Sequence, residues 1–362
     1  MSETAVAGAL PFLYGTNPYT ELVTLPNSGV YTLTGAQQDF TVNLNPSGFL
    51  RGVTIQVRST GGVIGTGVLN GDGPFNLFAN LQLDSIDGSN INFPMNGYNA
   101  FLSSKYFRPW EGDPRVYSVY SNTINPAFDL RFFNESHATL GVLPNTDARA
   151  QYKLRFSLPA LSGFLATLGT ATTPTVTITV ALETYAQPPL QDLYGRSIAQ
   201  IPDGMILQRF VSREQQTTQS GVSTIRSNRV GNMIRNQLLI FRNSSGVRTD
   251  LTGDPIRIRT DATSFGTEQG IHNIYNQDRL LIGEFGQTAT GARPTGVYSF
   301  PQWHNTATLQ GTSWLDTSSA TFLQYEVNGA AANGTCEIIT EDIALIQVDG
   351  VQTQIPSYLE GI

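Results

Sequence analysis

Apolar and polar residues alternate in short runs along most of the chain. Phe40, Val42 and Leu44 are interleaved with Thr41 and Asn43, and Val176, Ile178, Val180 and Leu182 form one apolar face across Thr175 to Thr184. A two-residue period is that of a half-buried β-strand, whose successive side chains point to opposite faces. Similar runs start at Leu22 (LVTL), Gly29 (GVYTLTG), Val116 (VYSVY), Asp129 (DLRFF), Ala138 (ATLGVL) and Gln151 (QYKLRFSL). Turn-formers separate them, among them Pro46-Ser47-Gly48, Asp72-Gly73 and Asp87-Gly88. A long strand is expected from Phe75 up to Asp87-Gly88. Only one stretch of the first half takes the helical period instead. Tyr98, Phe101, Leu102, Lys105 and Tyr106 fall on one helix face, with Asn96 placed to cap its start and Pro109 to end it.

One stretch returns. Leu50 to Gly62, LRGVTIQVRSTGG, is echoed 184 residues later by Ile234 to Gly246, IRNQLLIFRNSSG. Arg51 aligns with Arg235, Arg58 with Arg242 and Gly62 with Gly246, and apolar residues match at Leu50, Ile55 and Val57. The flanking features recur in the same order, as a duplicated unit requires. Thr252-Gly253-Asp254-Pro255 stands where Gly71 to Pro74 stands in the first half, and IRIRT (Ile256 to Thr260) follows it. Ile271, Ile274 and Tyr275 reproduce the spacing of Tyr98, Phe101 and Leu102, and CEIITEDIALIQV (Cys336 to Val348) closes the second half as TVTITVALET closes the first. Between the halves Gln187-Pro188-Pro189 cannot continue a central strand, because consecutive prolines remove ladder donors. The expected organisation is an arm at 1–20, a first β-domain at 21–186, a linker at 187–196, a second β-domain at 197–352 and a tail at 353–362. About eight strands and one inserted helix per half predict an all-β chain of two consecutive jelly rolls. If the echoed strand is regular, Arg51 and Arg58, being seven apart, lie on opposite faces.

Composition agrees. The chain has 35 Gly and 19 Phe in 362 residues but only 14% charged side chains, against about 25% in ordinary globular proteins. Lysine occurs only at Lys105 and Lys153, so the surface is neutral and polar or else covered. A single cysteine, Cys336, excludes an intrachain disulfide. The first residues lack the basic start and apolar run of a signal peptide, and no stretch approaches the ~18 apolar residues of a membrane-spanning helix.

Catalytic patterns are absent. His137, His272 and His304 are isolated, which excludes the usual spacings of a zinc site, and no nucleophile elbow occurs. The glycine loop at Gly65, Gly67 and Gly71 misses the dinucleotide spacing and does not open a helix. Asp84 with Asp87, and Glu341 with Asp342, are the acid pairs a glycosidase would need, but the first pair reads as a turn and the second points to opposite strand faces. No cofactor and no metal is expected. Charge is distributed unevenly: nine arginines but only three acids fall between 205 and 260, a local +6 in a chain of −7, leaving −13 elsewhere. Arg226, Arg229, Arg257 and Arg259 are the candidate interface or membrane-facing residues, since arginine is enriched where proteins meet.

Two consecutive jelly rolls, each with a helix after its middle strands and neither with a catalytic set, resemble the double jelly-roll major capsid proteins of tailless icosahedral double-stranded DNA viruses, the lineage of tectivirus-like phages and the adenovirus hexon. The resemblance covers nearly the whole chain and rests on order and pattern. It implies a structural protein, not an enzyme: a homotrimer whose six rolls form a pseudo-hexagonal capsomer that tiles a virion shell, assembled in the host cytoplasm. Its partners would be itself, neighbouring capsomers, minor capsid or penton proteins and internal membrane lipids, without sequence-specific nucleic acid. Alternatives are a tandem jelly-roll carbohydrate-binding protein or glycosidase, and a trimeric viral spike or vertex protein.

Overall fold

The computed structural model describes residues 9–107, 123–133, 135, 139–202, 207–260, 264–271, 274–276, 278, 293–301 and 314–345. The first half contributes β1 (Pro18–Val23), β2 (Val30–Thr32), β3 (Gln38–Asn43), β4 (Gly48–Thr60), β5 (Val68–Leu69), β6 (Asn80–Asp84), β7 (Asn90–Met95), β8 (Ala127–Phe133), β9 (Leu143–Asn145), β10 (Lys153–Leu158), β11 (Leu165–Thr167) and β12 (Thr175–Tyr185). The second contributes β13 (Leu207–Thr217), β14 (Gly221–Ser227), β15 (Met233–Arg242), β16 (Ile256–Thr260), β17 (Ser264–Gln269), β18 (Val297–Pro301), β19 (Leu315–Asp316), β20 (Leu323–Ala330) and β21 (Thr335–Leu345). Helix α1 (Gly97–Tyr106) follows β7, and the single turn α2 (Leu161–Phe164) follows β10.

Each half is a two-sheet sandwich. In the first, β1-β12-β4-β8 faces β3-β10-β6-β7; in the second, β13-β21-β15-β18 faces β14-β20-β16-β17. The two orders are the same once early, marked and closing strands are matched, so the chain is a tandem of one jelly-roll unit. The inward residues of each sandwich supply its core: Leu50, Val53, Ile55 and Val57 meet Leu81, Leu83, Leu154 and Phe156 in the first, and Leu239 and Phe241 meet Ile256, Tyr325 and Val327 in the second. The rolls join where β7 and β13 bridge in parallel at Asn92 and Val211, which merges two sheets into one of nine strands.

The echoed stretches are the same strand in both rolls. β4 pairs with the closing strand β12 and β15 with the closing strand β21, with Val57 opposite Ile178 and Phe241 opposite Cys336. Both strands carry a one-residue bulge at the matching arginine. Leu50 opposes Thr184 and Gly52 opposes Glu183, so Arg51 is skipped; Ile234 opposes Asp342 and Asn236 opposes Glu341, so Arg235 is skipped. The extra residue shifts the alternation by one, which overturns the expectation of opposite faces for Arg51 and Arg58. The guanidinium of Arg51 lies 4.6 Å from the Tyr185 ring, outside the sandwich with Phe49, and Arg58 lies on that same outer side.

Two sequence expectations change locally. The long strand from Phe75 begins instead as a 3-10 turn at Phe75–Leu77, because Phe75 stacks on Phe101 of α1 at 4.0 Å and strand geometry starts only at Asn80. Gly97 fits this contact because a Cβ there would lie 2.0 Å from the Phe75 carbonyl oxygen. β1 starts at Pro18, inside the stretch read as an arm. Helix α1 begins where expected, with the Asn96 side chain accepting a hydrogen bond from the Asn99 N–H at 2.8 Å. In the second roll, residues 271, 274–276 and 278 are helical and Ile274 is fully buried. The run at Val116, the three histidines and the tail at 353–362 lie outside the described residues.

Nearly every residue of α1 is buried because the helix lies between the rolls. Its Tyr98, Phe101, Leu102 and Tyr106 share one core with Val211, Leu238, Ile240, Val297 and Ile339, which belong to the outer face of the second roll's β13-β21-β15-β18 sheet. Polar contacts fix the seat: Asn99 donates to Glu337 at 2.9 Å and Asn236 donates to the Tyr106 carbonyl at 3.0 Å.

Candidate functional site

Three of the four candidate arginines come together. β14, β20 and β16 are neighbours, with Arg226 opposite Gln324 opposite Arg259 and Thr224 opposite Glu326 opposite Arg257. The two-residue period therefore places Arg226, Arg257 and Arg259 on the outer face of one sheet. Glu326 holds Arg259 at 3.0 Å and Arg257 at 3.8 Å, and Arg226 stacks over the Phe322 ring at 5.1 Å. The side chains of Arg257 and Arg259 stay 47% and 44% exposed, so this face keeps guanidiniums in water beside the Glu326 carboxylate. Arg229 does not belong to it. Its guanidinium pairs with Asp342 at 2.9 Å and packs between Phe93 of the first roll and Phe210 of the second.

Most of the positive window is neutralised from outside itself. Arg209 and Arg235 both bind Glu341, Arg213 binds Glu337, and all five of these side chains except that of Arg213 are at most 6% exposed. Burial lowers the pKa of Arg235 and Glu341 opposes that shift. Arg242 and Arg248 reach across to the first roll, where Asp72 receives them at 2.8 and 2.7 Å; Arg248 also lies 4.4 Å from the Tyr98 ring of α1. Acids that settle the window thus sit on β20, on β21 or in the other roll. Sequence reasoning did not assign Asp72, Glu337, Glu341 or Asp342 to these arginines. One signal was present: Glu341-Asp342 interrupts an apolar closing strand, and charges in such a strand require partners.

The carboxylates that a glycosidase would use are occupied. Asp84 pairs with Arg155 at 2.7 Å, Asp87 caps its own turn through Ser89, and Glu341 and Asp342 hold arginines. A cleft of about 540 Å³ runs along the roll junction between Gly71, Ala166, Arg242 and Ser245, and its one acid, Asp72, is the acceptor of the two cross-roll guanidiniums. Burial raises the Cys336 thiol well above its ordinary range, which keeps it protonated and inert. No cluster of metal-ligating side chains occurs among the described residues.

No protein-family model matches this chain, and no curated protein matches its sequence. Solved structures do match. The major capsid protein of Sulfolobus turreted icosahedral virus superposes with a TM-score of 0.67 at 12% identity, over 93% of this chain and 100% of that one. The capsid of the virus PBCV-1 gives 0.58 at 13% identity over 92% and 97%. The major capsid protein of bacteriophage PM2 gives 0.54 at 11% identity over 92% and 100%. The chain has the double jelly-roll fold of these proteins.

Proposed function

We propose that this chain is the major capsid protein of an icosahedral virus, with a structural and not a catalytic role. One observation carries the reading: the likeness to the turreted-virus capsid protein runs over 93% of this chain and the whole of the other, so it spans both rolls and not one alone. Three chains would supply six rolls for a pseudo-hexagonal capsomer, and capsomers would tile the shell of a virion assembled in the host cytoplasm. The exposed arginines of β14 and β16 are assigned to contacts below or beside the capsomer, with internal lipid, minor capsid proteins or a neighbouring capsomer as acceptor. The units of this tiling would be the two rolls, the first beginning with β1 at Pro18 and ending near 186, the second taken as 197–352. Native mass spectrometry of the purified chain tests the reading. A trimer that also occurs in many copies in purified particles supports it, and a stable monomer absent from particles refutes it.

A further inference from the structure

The contact between the rolls joins two different surfaces of the repeated unit. The first roll presents α1 and the turn at Asp72; the second presents the outer face of β13-β21-β15-β18, ending in Arg242. A unit that carries both surfaces, used twice in one chain, leaves one of each unused. Among the described residues the sheet face left open is that of β1-β12-β4-β8, apart from the Phe49 and Tyr185 end that Phe12 covers, and the turn left open is that at Asp254.

Residue by residue, these are the counterparts of the joined pair. Arg58 opposes Thr177 on β12 as Arg242 opposes Thr335 on β21. Arg242 spans the junction to Asp72 with its side chain 11% exposed, whereas Arg58 is 52% exposed and contacts Asp129 of its own roll at 2.8 Å. Asp72 precedes the strand β6, and Asp254 precedes β16, the same position in the second roll's sheet. Asp72 is only 14% exposed beneath its two arginines, but Asp254 is exposed, with one carboxylate oxygen accepting the Ile271 N–H at 2.7 Å. The faces differ in polarity in the sense this predicts. Leu238, Ile240 and Val297, sealed within one chain, are replaced in the first roll by Thr54, Gln56 and Asp129. A face that remains in water until chains meet has to stay soluble.

We infer that the outer face of β1-β12-β4-β8 is the docking surface for the second roll of another copy of this chain, with Arg58 of one copy paired to Asp254 of the next. This rests on the capsomer reading and deepens it by naming the contact. Because the two surfaces differ, the contact is head-to-tail, and such contacts close into a ring when the rotation allows.

The test is a charge exchange read by native mass spectrometry, with circular dichroism melting as the check of folding. Arg58→Glu and Asp254→Arg are each expected to lower the trimer fraction at least tenfold at a fixed concentration, and the double variant to restore most of it. If a single variant fails to fold, the pair Arg58→Cys with Asp254→Cys replaces it, since Cys336 is fully buried and will not compete. Oxidation should then give covalent dimers and trimers on a denaturing gel. A wild-type trimer that survives both charge reversals, or that gives only monomer bands after oxidation, overturns the contact and leaves the capsomer reading intact. A wild-type chain that stays monomeric overturns both.

Discussion

Replacing Glu341 by Gln should be far more costly than making the same change at Glu183, although the two occupy the same position in their rolls. Glu341 is 0% exposed and faces Arg235, also 0% exposed, at 2.8 Å, together with Arg209 at 6%. Loss of its charge removes the carboxylate that both buried guanidiniums hold, and breaking a buried pair in this way costs about 3–5 kcal/mol. Glu183 lies opposite Gly52 as Glu341 lies opposite Asn236. It is 21% exposed, accepts from Thr54 at 2.7 Å, and has Arg131 4.0 Å away with 53% of that side chain exposed. Pairs of that kind contribute about 0–1 kcal/mol, and a Gln at 183 still accepts from Thr54. Equilibrium unfolding in urea at neutral pH measures both. Against a total stability of about 5–15 kcal/mol, the first variant loses a large fraction and the second stays near wild type. A further variant, Glu341→Leu with Arg235→Met and Arg209→Met, should recover much of the loss, because apolar replacement of a buried ion cluster is often neutral. Equal effects at 341 and 183, or a neutral Glu341→Gln, would refute the assignment of a buried charge cluster to the second roll.

Asp278 gives a pH test: burial pushes its carboxyl up to about 8 against the pull of Lys105 and Arg293. The folded state then keeps a proton that the unfolded chain releases near pH 4, so stability should fall as pH rises from about 4 to 8, by roughly 1.4 kcal/mol per unit from this group. Asp278→Asn should flatten that decline in melts at pH 5, 7 and 9, and parallel profiles for variant and wild type would contradict it. Asn96→Ala should cost about 1 kcal/mol through loss of the α1 cap, measurable by the same unfolding titration; a change of a few tenths would show that packing alone sets the helix start. Arg257→Ala with Arg259→Ala should leave unfolding within about 1 kcal/mol, since both arginine side chains are nearly half exposed. A fall in particle yield would then report a lost contact and not a lost fold, while unchanged yield removes these residues from assembly.

The tandem was legible because period and order are local properties. Alternation marked β3, β8, β10 and β12, the helical spacing with Asn96 marked α1, and the echo marked β4 and β15 as one strand twice. The bulges were not legible. Skipping Arg51 and Arg235 depends on how each strand meets its closing partner more than 100 residues away, and that register reversed the faces expected from a regular strand. The same limit governed the arginines. Clustering in sequence singled out Arg226, Arg257 and Arg259, which do share a face, but it could not separate them from Arg229, whose carboxylate lies on β21. Asp72 was hidden for a related reason: in sequence it is a turn residue, and only the packing of one roll on the other makes it an acceptor.

The paired bulges also separate what the two rolls share from what sets them apart. An extra residue at the same place in both strands bends each of them at its arginine, beside the closing strand. The apolar set at Leu238, Ile240 and Ile339 is replaced by Thr54, Gln56 and Ala181 at the matching positions of the first roll, so the outer faces differ where the bulges agree. The bend at the arginine is thus a property of the repeated unit, whereas the apolar seam under α1 belongs to the second roll's sheet alone and marks where the chain closes on itself.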